Sequence, residues 1–269
     1  MKQLRRMRFV VRSPSDMSRI LITIPTWNEA AIIARTLATL GDACTRLLPD
    51  HDVTIEVADN GSTDGTDSIV RNFIAAQSLS SSYEATSYAL RTITNRGKGL
   101  AIKTSWLAHR EDEDIFIFLD ADLAADLNAL PALIRPVLDG KADLVCGSRF
   151  LPGAIVERKT SRELASRLFR SWQRFVLRLP VQDAQCGFKA ASPRVVRDVL
   201  PRCVETGWLF DSELIARTAR AGLPISEIPV SWIEHRDPSR RSALSLWKHG
   251  WGFVSGVVRI RKRLGSRSS

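Results

Sequence analysis

Two aspartates with one small residue between them, Asp120-Ala121-Asp122, close the apolar run Ile115-Phe116-Ile117-Phe118-Leu119. A short unbroken apolar run bounded by polar positions predicts a strand buried on both faces. A carboxylate pair at the carboxyl end of such a strand faces the crevice where open α/β sheets hold their ligands. Like charges this close repel unless a cation lies between them. A hard divalent ion that also holds a phosphate is one solution; the other is that one aspartate caps the next helix and its neighbour is solvated.

Elements that place this pair are legible on both sides of it. Strands are predicted at Ile20 to Pro25, Val53 to Ala58, Ala89 to Ile93, Ala142 to Cys146 and Ile225 to Trp232. Helices are predicted at Ala30 to Leu40 (with Asn28 as N-cap), after Thr66, at Leu100 to His109, Asn128 to Leu138, Glu163 to Leu179, after Pro193, and at Asp211 to Ala221, with a polar loop at Ser78 to Ser82. In the first half, strand and helix alternate with a period of about thirty residues, the pattern of a doubly wound, largely parallel α/β sheet. Organisation is expected as a basic extension over residues 1–18, a catalytic domain over 19–232, and a basic loop with an amphipathic helix over 233–269.

Several of these strands end in short polar loops: Thr26 to Glu29, Asp59 to Ser62, Asp120 to Asp122, and Gly147 to Arg149. A nucleotide laid across them would find matching partners. The Asp59 carboxylate can accept the imide N–H of uracil or an N–H of guanine. Backbone at Gly61 leaves room for a ribose, and a metal-binding pair meets a diphosphate. Neither GxGxxG nor GxxxxGK[ST] is present, which argues against dinucleotide and P-loop sites.

The totals narrow the class. The chain has 269 residues, a net charge of +10 and a pI near 10.0. The excess lies in residues 1–19, 157–178 and 235–269, and the rest of the chain is net acidic. Such segregation points to an anionic partner reached by particular elements. A nucleic acid is not expected, because no basic sheet face with interleaved aromatics and no known module is visible. Cys44, Cys146, Cys186 and Cys203 are scattered, without metal or disulfide spacing. They read as small buried residues in a reducing compartment. With no apolar run of membrane-spanning length, the expected location is cytoplasmic, with peripheral contact at the inner membrane face left open.

Pro25-Thr26-Trp27-Asn28-Glu29, Asp59-Asn60-Gly61-Ser62-Thr63-Asp64-Gly65-Thr66, Gly97-Lys98-Gly99, Asp120-Ala121-Asp122 and Gly147-Ser148-Arg149 resemble, in order and spacing, the motifs of family 2 glycosyltransferases with the GT-A fold. Asp183-Ala184-Gln185-Cys186-Gly187-Phe188-Lys189 and Trp208-Leu209-Phe210-Asp211-Ser212-Glu213 are similar to the branch that acts on dolichyl or polyprenyl phosphate. The resemblance implies a UDP- or GDP-sugar donor, with Pro25, Thr26, Trp27, Glu29, Asp59, Asn60 and Gly61 near base and ribose. It implies Lys98 and Asp120-Ala121-Asp122 at the diphosphate and sugar, Mg²⁺ or Mn²⁺ on Asp122 and Asp120, and Arg149 near the acceptor or leaving diphosphate. His235 to Arg241 resembles a loop closing over the donor, with Arg240 as a phosphate clamp or a solvated charge. Two substitutions depart from the pattern: Asn60 replaces a second aspartate, and Ala124 a glutamine that helps hold the metal in some members.

The implied reaction is inverting transfer of a glucose- or mannose-type hexose to polyprenyl phosphate. An anionic phosphate acceptor needs no general base. A hydroxyl acceptor, such as a polysaccharide end or small metabolite, does, and Asp183 is then the candidate, against its alternative as a turn residue. Lys189 reads as a phosphate contact or surface charge, and Asp211 and Glu213 as helix-cap and solvated residues or as site residues. Leu164, Leu168, Phe175 and Leu179, with Trp172 beside them, form one apolar stripe, and Trp247, Trp251, Val254 and Val258 another. Both are backed by arginines, as in helices that lie on anionic membranes or pack on the domain.

Overall fold

A computed structural model describes residues 17–80, 86–157, 163–233 and 246–265. The elements run β1 (Ser18–Thr26), α1 (Ile33–Leu47), β2 (His51–Asp59), α2 (Thr66–Ser80), β3 (Thr86–Thr92), α3 (Lys98–Ala108), β4 (Ile115–Leu119), α4 (Leu130–Leu138) and β5 (Leu144–Ser148). They continue with β6 (Val156–Glu157), α5 (Glu163–Leu177), β7 (Phe188–Ala191), α6 (Phe210–Arg220), β8 (Ile225–Pro229), β9 (Trp232–Ile233) and α7 (Leu246–Gly265). A π-helical turn at Val195–Val199 and a 3-10 turn at Leu200–Arg202 occupy the helix expected after Pro193.

Seven strands form one sheet in the order β3-β2-β1-β4-β7-β5-β8, with β6 and β9 paired beside it. All pairings in the large sheet are parallel except those of β7, which runs antiparallel between β4 and β5. Both faces are covered, which is why β1 and β4 are apolar at successive positions rather than alternate ones. Ile20, Ile22, Ile24, Ile115, Ile117 and Leu119 pack beneath α1 and α4. Leu21, Phe116 and Phe118 pack with Trp106 of α3 and Phe210 of α6 on the other face.

Several expectations shift. The loop set at Ser78 to Ser82 is helix as far as Ser80. Gly147 and Ser148 belong to β5 rather than to the loop after it. Asn28 does not cap α1: it has a left-handed φ of 55° and lies outside the helix. The helix stripes hold in part: Leu179 is buried as expected. Phe175 is 83% exposed, whereas Phe169, Trp172, Val176 and Leu177 join the core. On α7 the buried residues are Val257, Ile260 and Leu264, with Val258 exposed. The side chains of Leu164, Leu168, Trp247 and Trp251 lie outside the described set.

All four cysteines are buried and free, and burial pushes their thiols up to about 12. They are inert at neutral pH.

Beneath α3, Glu56 is buried on β2 and accepts from Arg91 at 2.7 and 3.0 Å, with His109 Nε2 at 2.9 Å. Burial pushes this carboxyl up, but the Arg91 and His109 bonds prevail and hold it below its ordinary value of 4.5. A carboxyl held low in the fold stabilises above its unfolded value, and that contribution is lost as pH falls through the folded one. Glu56→Gln is expected to lower stability by about 2 kcal/mol at pH 7. The gap in melting temperature from wild type should close on acidification below pH 4.5; a gap independent of pH would contradict this.

Candidate active site

The register of the sheet puts the residues expected to face the donor in a row. Thr26 pairs with Asp59, and Asp59 with Thr92, so the ends of β1, β2 and β3 lie side by side. The loop after β2 is a latch for the loop after β1. Asn28 N–H donates to Ser62 Oγ (2.8 Å), Glu29 N–H to Thr66 Oγ1 (3.0 Å) and Ala30 N–H to Asp64 Oδ2 (3.0 Å). In return, Asn28 Oδ1 accepts from Thr63 N–H at 2.8 Å, the task it performs in place of capping. Turn formers are dense at Asp59 to Thr66 because their short side chains make these bonds. Gly61 needs no Cβ there: its φ is 84°, and a Cβ would meet the Thr94 carbonyl at 3.2 Å.

Asp59 is buried and accepts from the Ser62 N–H at 3.2 Å and from the Ser62 hydroxyl. Pro25 and Glu29 are half-buried in the same row. Trp27 lies at the rim, with the exposed Arg96 guanidinium 3.6 Å above its ring. Gly97 and Gly99 are required by close approach, since a Cβ at either would overlap the Thr206 carbonyl or the Phe210 side chain. The segment ahead of α6 is in turn held by the buried Glu213, which accepts from Val204 and Glu205 N–H at 2.8 and 2.6 Å.

Lys98, in the first turn of α3, reaches across to Asp120, with Nζ 2.6 Å from Oδ1. Burial favours its neutral form, but Asp120 and then Asp211 raise its pKa, so it stays an ammonium. The Asp120–Asp122 turn is fixed from several sides. Asp120 N–H donates to the Gly187 carbonyl (3.2 Å), Leu123 N–H to the Asp120 carbonyl (3.1 Å), and Thr36 Oγ1 to the Ala121 carbonyl (2.7 Å). Leu123 takes a left-handed φ of 50°, which tightens the turn just after Asp122. Asp122 Oδ1 accepts from Ala124 N–H at 3.3 Å.

After β5, Arg149 and Asp183 form a bidentate pair, Nε to Oδ2 at 2.7 Å and a terminal nitrogen to Oδ1 at 2.9 Å. The Arg149 N–H adds a third bond at 3.1 Å. Burial pushes Asp183 up, but the Arg149 bonds outweigh it and hold the carboxyl below its usual range; Arg149 is correspondingly raised. Glu227 fixes the loop from below through the Gln182 and Asp183 N–H groups at 2.8 and 3.0 Å. Lys189 is not a surface charge. It is fully buried on β7, 2.6 Å from Asp211 and bonded to the Cys186 carbonyl. Asp211, expected as a helix cap, lies buried inside α6, and Glu213, expected as solvated, is buried there too. Arg240 lies outside the described residues; the described stretch before it ends at Ile233, whose N–H donates to the Ala124 carbonyl at 2.9 Å, two residues past Asp122.

The donor set suits a hard cation. Asp122 and Asp120 offer carboxylate oxygens, and no cluster of three or more His, Cys, Asp or Glu converges among the described residues. An ion held by one or two carboxylates completes its shell from phosphate oxygens and water, which is how Mg²⁺ and Mn²⁺ bind nucleotides.

Comparison with known proteins accords with this arrangement. A model of glycosyl transferase family 2 matches residues 21–200. The undecaprenyl-phosphate mannosyltransferase of Micrococcus luteus is 30% identical over 257 residues, covering 92% of this chain and 99% of that protein. The glycosyltransferase AglD of Haloferax volcanii is 28% identical over 240 residues; the match takes in 89% of this chain but only 36% of that longer protein. Among solved structures, glucosyl-3-phosphoglycerate synthase of Mycobacterium tuberculosis with Mn²⁺, UDP-glucose and glycerol 3-phosphate superposes with a TM-score of 0.61 at 22% identity, covering 94% of this chain and 82% of that one. A sheet with β7 reversed, carboxylates at the end of β4 and a family match over most of the chain agree: this protein is a glycosyltransferase of family 2 with the GT-A fold.

Proposed function

We propose that the protein transfers a glucose- or mannose-type hexose from a UDP- or GDP-sugar to a polyprenyl phosphate, with inversion. One observation carries this reading: three carboxylates of the site, the candidate base among them, are each paired with a cation. Asp183 is held by Arg149, Asp211 by Lys189 and Asp120 by Lys98. A neutral hydroxyl acceptor needs a base to take its proton, and Asp183, with both oxygens on Arg149 and its pKa lowered, is a poor one. A phosphate acceptor arrives already anionic. The name of the Micrococcus relative supports the same acceptor class.

In this reading a phosphate oxygen of the acceptor attacks the anomeric carbon from the face opposite the diphosphate. The new C–O bond forms as the old one breaks, the nucleoside diphosphate leaves, and no proton moves. Trp27, Asp59 and Glu29 orient the nucleoside. Lys98 and Arg149 place positive charge where negative charge develops on the leaving group. A divalent ion on Asp122, with Asp120 beside it, supplies Lewis-acid charge neutralisation when bound.

Purified protein incubated with UDP-glucose or GDP-mannose, polyprenyl phosphate and Mn²⁺ should give a lipid-linked sugar phosphate with one donor, and a chelator should stop it. Absence of both transfer and donor hydrolysis under every metal condition would sink the reading.

A lipid acceptor also gives the exposed Phe175 a use. It stands on α5 beside the exposed Arg174, with the exposed Arg178 just past the helix, and α7, with exposed Val258 and Lys262, packs against α5 through Phe253 and Phe169 (ring centroids 6.0 Å apart). No described helix is long and apolar enough to cross a membrane. The protein is expected to sediment with vesicles containing phosphatidylglycerol, to be released by salt, and to bind less after Phe175→Ser. Failure to sediment at low salt would remove the membrane contact from the account.

A further inference from the structure

Asn60 stands at the meeting point of three loops and is only 5% exposed. Its backbone N–H and its Nδ2 both donate to the Thr26 carbonyl, each at 2.9 Å. Its Oδ1 accepts from the Gly97 N–H at 3.1 Å. These partners fix the amide orientation, since only the NH₂ can face a carbonyl and only the oxygen can face an N–H. One side chain thereby joins the end of β1, which leads into Trp27, to the turn that delivers Lys98 onto Asp120. An aspartate, which the family resemblance makes common here, could still accept from Gly97 but would set a carboxylate oxygen against the Thr26 carbonyl.

We infer that Asn60 is a positioning residue for the sugar donor, acting through these backbone bonds rather than by touching the ribose. It sets the distance between the base side of the cleft and the Lys98–Asp120 side, so it governs how well a nucleoside diphosphate spans the two. This rests on the reading of the cleft as a nucleotide-sugar site, and it reassigns a residue that the sequence placed at the ribose.

The test is calorimetric binding of UDP and GDP, and of their 2′-deoxy and 3′-deoxy forms, with Mn²⁺, to wild type, Asn60→Ala and Asn60→Asp. Asn60→Ala should weaken the preferred nucleotide about tenfold or more, by the same factor for the ribose and both deoxy forms. Asn60→Asp should lose at least as much, and because it preserves side-chain volume it provides the comparison should the alanine variant fold poorly. Hydrogen exchange at the Gly97 amide should speed up in Asn60→Ala. A penalty that vanishes with either deoxy nucleotide would show a direct ribose contact and overturn the inference, as would unchanged binding in both variants. Wild type that binds neither UDP nor GDP would instead sink the reading of the cleft itself.

Discussion

Asp122→Ala is expected to lower sugar transfer about a thousandfold or more while leaving the fold intact. Asp122 is half-buried in a turn, and none of the core clusters includes it. The turn itself is held by Thr36, Gly187 and the Leu123 N–H, bonds that do not involve the Asp122 carboxylate. The position differs from that of its neighbour. Asp120 is paired with Lys98 at 2.6 Å, so its truncation also frees a largely buried ammonium. Asp122 Oδ1 accepts from the Ala124 N–H at 3.3 Å, and Ala124 supplies no extra ligand. A divalent ion is therefore expected to depend on Asp122 more than on any other side chain. Circular dichroism and thermal melting should match wild type, and Mn²⁺ affinity in the presence of UDP should collapse with turnover. Near-normal metal-dependent activity in Asp122→Ala would show that the ion, or the catalytic carboxylate, lies elsewhere.

Gly187→Ala is expected to cost about a hundredfold in kcat through a single methyl group. The backbone of Gly187 presses against Asp120: its carbonyl accepts the Asp120 N–H at 3.2 Å, and a Cβ on it would overlap the Asp120 carboxyl group. The carboxylate, and Lys98 with it, would have to move. Gly187 itself cannot retreat readily, because Cys186 is bonded to the buried Lys189 and Phe188 is packed in the core between β4 and β5. The KM for the sugar donor should change less than kcat, since the base-side contacts at Trp27 and Asp59 are remote from the new methyl. In an Asp120→Ala background the added methyl should cost little more, because the group it displaces is already gone. Equal penalties in the two backgrounds would show that the glycine serves folding rather than the carboxylate.

The strands and the strand-end carboxylates were legible because they obey local rules. Ile115 to Leu119 can be little other than a buried strand, and the turn formers after Val57 announce a loop. What was hidden is tertiary. β7 is four residues, Phe188–Ala191, containing a lysine. Such a segment carries no strand signal until its neighbours β4 and β5 are in place. The Lys189–Asp211 pair joins residues 22 apart, and a lysine in sequence reads as solvated unless its partner is known. Asn28 looked like a cap because its neighbours were helical; the latch to Thr63 comes from 35 residues away. On α5, Phe175, Val176 and Leu177 all admit a stripe, and periodicity alone does not say which one the core receives. The sequence offered Asp183 as a candidate base, but its bidentate hold on Arg149 requires the loops after β5 and α5 to meet.

The central claim is that the acceptor brings its own negative charge to a cleft whose candidate base, Asp183, is already engaged by Arg149. It is tested most directly by offering the enzyme a labelled sugar donor with polyprenyl phosphate in one reaction and the corresponding polyprenol in another, each with Mn²⁺. The account predicts label on the phosphate and none above background on the alcohol. Transfer to the polyprenol, or to another neutral hydroxyl, at a comparable rate would show that a base operates in this site and would contradict it.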